Sequence, residues 1–279
     1  MFKEYLQLVR IPGIFTSFSN VLIGYFFSLS VNPETIPLPF LLVTSGMLFC
    51  SGMILNDYFD LKTDKKERPE RPIPSGKIPK QNALLLGIIF LILANLFSLL
   101  VGYESLLISV IMTALIVSYN YKLKKTIHVG IFCLSFIRFL NVLLGFSIIV
   151  ISFNVIQYAI PIGIFVGGIA ILAKNEMGLT TSISKKLNKI LILITIAYVC
   201  SLRMNDFQIE SLIFLILFSA ISLGSFFIKK IQKQITFQLI SIILLDSILI
   251  SIFSSFFVAI AVSLLIIPAY YISKKLYLT

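Results

Sequence analysis

Between residues 56 and 77 the chain reads NDYFDLKTDKKERPERPIPSGK, a charged stretch set between two long apolar runs. Asn56, Asp60 and Asp64 follow one another at intervals of four, so on a helix their oxygens stack along one face within two turns, with Asp57 one step around. Oxygen donors in that arrangement suit Mg²⁺, a hard cation that takes one or two carboxylates, keeps several waters and draws phosphate oxygens from its substrate. Past the acids, Pro69, Pro72 and Pro74 remove backbone donors and hold the residues before them extended, which ends the helix in a stiff loop. Arg68 and Arg71 carry forked guanidinium groups suited to phosphate oxygens, Lys77 adds a point charge, and Gly76 lets backbone approach a ligand. A solvated loop made basic by topology accounts for the lysines, but not for a regular acid ladder followed by a proline-stiffened arginine pair. The expected chemistry is a metal site beside an anion site, together gripping a diphosphate.

The elements that must position this loop are membrane spans. Of 279 residues 58% are hydrophobic and only 13% charged, and the mean hydropathy is +1.02, too apolar for a domain whose surface must be wetted. Runs of about 20 apolar residues, enough to cross a hydrocarbon core, recur from end to end. Ten spans are expected: 11–30, 38–58, 82–101, 105–121, 129–151, 155–177, 187–203, 210–228, 235–253 and 256–273. LLLGIIFLILANLFSLL is apolar on every side and suits a lipid-embedded helix, whereas a β-barrel needs short alternating segments. The fold class is therefore all-α, a multi-pass transmembrane bundle forming a single domain over residues 1–279.

Charge distribution gives sidedness. Alternate connections hold Lys62 to Lys80, then Lys122, Lys124 and Lys125, then Lys185, Lys186 and Lys189, then Lys229, Lys230 and Lys233, while the connections between them hold almost no Lys or Arg. The positive-inside rule places the basic set, and the acid ladder with it, on the cytoplasmic side of the cell membrane. Both termini are then inside, which requires an even number of crossings. The formal charge of +11 marks topology rather than a nucleic-acid partner. MFKEYLQLVRIPG has no cleavage pattern, so the first span is expected to stay. Cys50, Cys133 and Cys200 are isolated in apolar surroundings and are expected to pack inertly.

NDYFDLKTDKKERPERPIPSG resembles the first aspartate-rich motif, NDxxDxxxD, and the following loop of the UbiA superfamily of intramembrane prenyltransferases. Similarity continues in LVRIPG with Asn20 and Gly24, in YNYKLKK at 119–125 and in RFLNVLLG at 138–145, covering the first half of the chain. The resemblance implies usually nine helices around a central cavity open to the cytoplasm. It also implies a polyprenyl diphosphate donor held through Mg²⁺, and transfer of the prenyl group to an aromatic or lipid acceptor. On the family pattern Asn56 and Asp60 match metal positions and Asp64 completes the motif, with Asp57 among them. Arg68, Arg71, Lys77 and Lys122 match basic positions around the diphosphate.

The family's second motif, DxxxD at the end of the sixth span, is depleted here to LAKNEMGLTTS. Glu176 is its only carboxylate and the remaining candidate metal ligand; Asn175 adds a neutral oxygen, and Lys174 can neutralise phosphate charge directly. This departure resembles the divergent EboC-like subgroup, and makes a non-catalytic polyprenyl-lipid carrier the alternative reading. An ion-coupled transporter accounts for intramembrane charge but leaves the acid ladder unexplained.

Arg138 and Asp246 lie well inside apolar spans, where a charge costs at least about 2.5 kcal/mol, so each is expected to face a polar interior. Asn20, Tyr119, Arg138 and Asn141 are the candidate substrate or acceptor pocket. Arg138 and Asp246 are equally readable as a structural pair. Tyr119 and Tyr121 suit either the cavity or an interfacial belt. His128, the single histidine, has no companion ligands and is expected to take no part in catalysis.

Overall fold

The computed structural model describes residues 2–31, 38–149, 151–173, 181–203 and 212–277. Among them there are fourteen α-helices and no strand: α1 (Phe2–Leu8), α2 (Ile14–Val31), α3 (Leu38–Phe59), α4 (Leu61–Glu67), α5 (Lys80–Val101), α6 (Tyr103–Tyr121), α7 (Ile127–Phe146), α8 (Phe153–Ile156), α9 (Ile160–Ala173), α10 (Thr181–Arg203), α11 (Leu212–Gly224), α12 (Ile231–Ile250), α13 (Phe256–Ser263) and α14 (Ile266–Tyr277). Every one of the ten expected runs carries helix. Among the described residues eight segments are long and apolar enough to cross a membrane. The other two runs are α10, whose first turns carry three lysines, and α11, whose 13 residues fall short of a full crossing. The last run is divided into α13 and α14 because Pro268, in the first turn of α14, has no N–H to continue the ladder.

Burial sorts the helices into an inner and an outer set. Within its most apolar window α12 is 67% buried, against 22% for α5 and 17% for the α13–α14 segment, so α12 is interior and the other two face outward. The inner set, α2, α3, α6, α7, α9 and α12, lines a central cavity. The most extensive contact joins α3 to α5. Small residues let their backbones approach, and Ser51 and Thr44 donate to the carbonyls of Gly87 (2.9 Å) and Ala94 (3.3 Å). Cys50 and Cys133 are buried as expected, whereas Cys200 is exposed on α10, because the face of α10 that packs on α9 is the one carrying Asn188 and Thr195.

The tightest approach is between α2 and α7. A Cβ on Gly24 would collide with the backbone of Gly145 and Phe146, and one on Gly145 with the carbonyl of Val21. Just beyond this contact Phe27, Phe146, Tyr158 and Phe253 interlock, their ring centroids 5.2–6.4 Å apart. Backbone contact and aromatic cluster close the end of the bundle away from the acid ladder. Replacing Gly145 with Ala is expected to lower stability by about 1–3 kcal/mol or more through overpacking. Gly224, around which a Cβ meets nothing within 4 Å, should tolerate Ala with little change. Thermal unfolding of the two purified variants checks the difference.

Candidate active site

The acid ladder sits where α3 ends. Asp60 closes the last turn of α3 by donating its N–H to the Asn56 carbonyl (3.0 Å), and its own carbonyl accepts from Asp64 (2.9 Å). Its backbone, at φ −86° and ψ 3°, departs from helical values and separates α3 from α4. The ladder does not gather on one cation: Asp64 parts from Asn56 and Asp60 and joins Asp57, seven residues or about two turns before it. Asn56 and Asp60 converge on the Lys124 ammonium, at 3.4 and 2.6 Å. Asp57 and Asp64, both buried, converge on Arg71, at 3.2 and 2.7 Å. Arg10 also reaches Asp57 (2.9 Å). It does so from a left-handed conformation, φ 49° and ψ 53°, which costs a non-glycine residue roughly 1–2 kcal/mol.

Arg71 thus ties the proline loop to the helix end. Ser75 and Ile78 donate to the carbonyls of Arg71 (3.0 Å) and Pro72 (3.0 Å), and Gly76 turns the chain at φ 76°, where a side chain is strained. Ile73 and Ile78 anchor the loop in a small core with Leu8, Ile54 and Ala83. Burial pushes the Asp64 carboxyl above its ordinary value, while the Arg71 hydrogen bond pulls it down. A raised acid stabilises the fold while protonated and opposes it as pH rises through the folded value, so at neutral pH Asp64 depends on Arg71.

The cavity, about 330 Å³, opens between these helices. Asn56 and Arg10 line one end; Ser17, Ser45, Arg138 and Asn141 line it further in, Tyr119 and Asn120 lie on its α6 wall, and apolar residues such as Leu48, Val166 and Ile169 make up most of the rest. Asn56 and Ser45 are eleven residues apart on α3, a depth of roughly 16 Å. Asn141 is fully engaged, donating to the Ser17 carbonyl (2.9 Å) and accepting from Ser45 (2.7 Å), and so joins α2, α3 and α7.

Not every expected residue gathers here. Asn20 is not among the cavity-lining residues: fully buried behind Arg138, it accepts from that guanidinium (3.3 Å) and donates to both Asp246 oxygens (3.0 and 2.9 Å). Lys122 is exposed at the end of α6, and Lys124, one short 3-10 turn later, reaches the acids instead. Lys77 is exposed and Arg68 half-buried. Tyr121 is exposed, edge-on to Phe59 (5.9 Å), and exposed His128 lies on a separate outer groove between α7, α9 and α10. Lys174, Asn175 and Glu176 lie outside the described residues. Lys124, Arg10 and Asn120 were missed as site residues. The LVRIPG match pointed toward Arg10, but nothing in YNYKLKK says which lysine the turn aims inward.

The donor set fits Mg²⁺ in part. Two oxygens, from Asn56 and Asp60, already meet at one cation, and they are hard ligands of the type the ion takes. Among the described residues no three His, Cys, Asp or Glu side chains group to hold an ion alone, so further oxygens must come from water or substrate.

Helices of the inner set thus build a largely apolar cavity with oxygen donors and paired cations at one end. The UbiA prenyltransferase family model matches residues 17–225, and the chain belongs to that family. Over 124 residues it is 32% identical to the digeranylgeranylglyceryl phosphate synthase of Saccharolobus solfataricus, covering 44% of each chain. Over 137 residues it is 36% identical to that of Methanocaldococcus jannaschii, covering 48% of each. The matched stretch thus spans less than half the length of these relatives. Among solved structures, a UbiA homolog from Archaeoglobus fulgidus bound to DMAPP and Mg²⁺ superposes over 93% of this chain and 99% of its own, at a TM-score of 0.69 and 16% identity. A UbiA homolog from Aeropyrum pernix K1 gives 0.67 at 14% identity, over 85% and 97%. These likenesses establish the fold.

Because Arg71 holds two buried carboxylates, Arg71→Ala should cost about 3 kcal/mol or more. Lys77→Ala, on an exposed side chain, should stay within about 0.5 kcal/mol. Chemical or thermal denaturation of both variants reads the contrast directly.

Proposed function

We propose that the chain is a Mg²⁺-dependent intramembrane prenyltransferase that moves a polyprenyl group from its diphosphate to a lipid or aromatic acceptor. The observation that carries this reading is the convergence of Asn56 and Asp60 on a single cation at the end of an otherwise apolar cavity. Family membership and relatives described as digeranylgeranylglyceryl phosphate synthases support it, and the latter favour a lipid alcohol as acceptor.

Asn56 and Asp60 hold the metal, with Asp64 behind them and Glu176 as the candidate from the sixth span. Mg²⁺, when bound, supplies positive charge to the diphosphate as the allylic C–O bond loosens. Lys124, Arg68, Lys77, Lys122 and Lys174 are the cations available to the phosphate oxygens, and Arg71 secures the loop that carries two of them. Apolar walls around Leu48 and Val166 keep water from C1 while the acceptor oxygen or ring carbon attacks it. The bond electrons leave with the diphosphate, whose oxygens can take up the proton that the acceptor gives up. Basic connections on the acid-ladder side support a cytoplasmic site in a multi-pass membrane protein.

Purified protein in lipid, given labelled prenyl diphosphates and a panel of acceptors, should release diphosphate and form a prenylated product only with Mg²⁺. Donor binding without turnover would assign a carrier instead. Asp60→Ala should weaken Mg²⁺-dependent donor binding by about tenfold or more, roughly 1.4 kcal/mol, while His128→Ala should leave it within about twofold. Titration with a fluorescent prenyl diphosphate measures both, and equal losses would count against the site.

A further inference from the structure

The bundle carries a second, outward-facing groove of about 410 Å³ that shares no lining residue with the central cavity. Its floor is α9, through Gly163, Gly167 and Ile171, while Phe132 of α7 and Leu191 of α10 stand on either side. The glycines make the floor deep, because no side chain projects from the α9 backbone at two successive turns. Phe132 is 68% exposed and stacks on Phe136, the ring centroids 5.7 Å apart and the planes within 11°. The hydroxyl of Ser135, also in the lining, donates to the Ile131 carbonyl (3.0 Å), so its hydrogen bond is already made. The rest of the lining is apolar up to one end, where His128 stands in the first turn of α7.

Length and cross-section decide what fits. From Gly163 to Ile171 the floor runs eight residues, roughly 12 Å, somewhat under half of a hydrocarbon core about 30 Å thick. A partner helix about 10 Å across would need roughly 900 Å³ over that length, more than twice the volume of the groove. A single hydrocarbon chain within one leaflet is thin enough. Because α7 and α9 belong to segments long and apolar enough to cross the membrane, their outer face meets lipid.

The His128 end is basic. Lys125 stands exposed three residues before His128, and the first turns of α10 carry Lys185, Lys186 and Lys189, whose flexible stems lie along apolar surface while the ammonium stays in water. Among the described residues no acid lies within 4.0 Å of these five side chains. Between Glu104 and Asp206 the sequence holds a single acid, Glu176, already a candidate metal ligand. An apolar slot with unneutralised cations at one end complements a lipid whose head is acidic.

We propose that the groove between α7, α9 and α10 binds one chain of a membrane lipid with an anionic, phosphate-bearing head, the chain lying over Gly163 and Gly167 and the head among Lys125, His128 and the lysines of α10. The site is distinct from the central cavity and does not depend on prenyl transfer. Since α10 packs chiefly on α9, and α7 is not among its main partners, a chain that touches both walls couples α10 to α7 and stabilises its docking.

Delipidated full-length protein in a non-ionic detergent is titrated with phosphatidylglycerol, with phosphatidylcholine and diacylglycerol of the same chains, and with glycerol phosphate. Native mass spectrometry reads the bound lipid and thermal unfolding the stability. In the wild type phosphatidylglycerol should bind about tenfold or more tighter than either chain-matched lipid and raise Tm by roughly 5 °C at saturation. Glycerol phosphate, an acid without a chain, should do neither. Gly163→Leu, whose Cβ would meet ordinary contacts at 3.5 and 3.6 Å from Ser135 and Phe139, places a side chain on the floor and should weaken phosphatidylglycerol by about tenfold or more with the lipid-free Tm little changed. Lys125→Gln, His128→Gln and Lys189→Gln together leave the slot open and should bring phosphatidylglycerol within about threefold of phosphatidylcholine. Should Gly163→Leu not fold, the charge variant decides alone. A wild type indifferent to the head, wild-type phosphatidylglycerol affinity in either variant, or glycerol phosphate binding as tightly as the lipid overturns the proposal. So does a dimer that Gly163→Leu dissociates, which would make a second copy the occupant.

Discussion

Every charge inside this bundle must meet another across a medium that solvates neither, and that constraint organises the structure. In hydrocarbon an unpaired ion is expensive, so intramembrane charges pair or face a polar interior. At the end of α3 the demand is met by three cations: Lys124 is shared between Asn56 and Asp60, Arg71 between Asp57 and Asp64, and Arg10 adds a second contact to Asp57. The first arrangement leaves ligand oxygens gathered at the cavity; the second fastens the proline loop. The same four residues therefore perform two tasks, divided between the Asn56–Asp60 pair and the Asp57–Asp64 pair.

Deeper in the bundle the constraint is met by a relay. Asp246 and Arg138 sit on α12 and α7, and Asn20 on α2 connects them, so one network of charge-assisted hydrogen bonds joins three of the inner helices. Its geometry depends on the close approach of α2 and α7, which exists because Gly24 and Gly145 have no side chains to hold the backbones apart. Packing and electrostatics are coupled here. The neutral Asn141–Ser17–Ser45 network lies alongside and adds α3 to the same scaffold.

Membership of the UbiA prenyltransferase family places these features in a fold shared with homologues that are 14–21% identical over most of their length. Those likenesses fix the helical scaffold, and the roles of individual side chains come from this chain's own contacts. The Arg138 relay is one such case, since it is read from hydrogen bonds rather than from a motif.

The sequence by itself determined the class of fold and the location of the candidate site. Continuous apolar runs allow only a lipid-embedded helix, the basic connections mark one side of it, and an acid ladder before three prolines has few other uses. What only the tertiary structure decided is which side chains meet. Spacing of four stacks Asn56, Asp60 and Asp64, but Asp57 and Asp64 stand seven apart, about two turns, and it is this pair that Arg71 gathers while Lys124 takes the other. Lys122 and Lys124 are equivalent as letters, and a short 3-10 turn chose between them. Asn20 and Asp246 are 226 positions apart, joined only when α2 and α12 pack together. Local periodicity fixes what a helix buries, but the partner it finds depends on crossings between distant segments that no window of sequence contains.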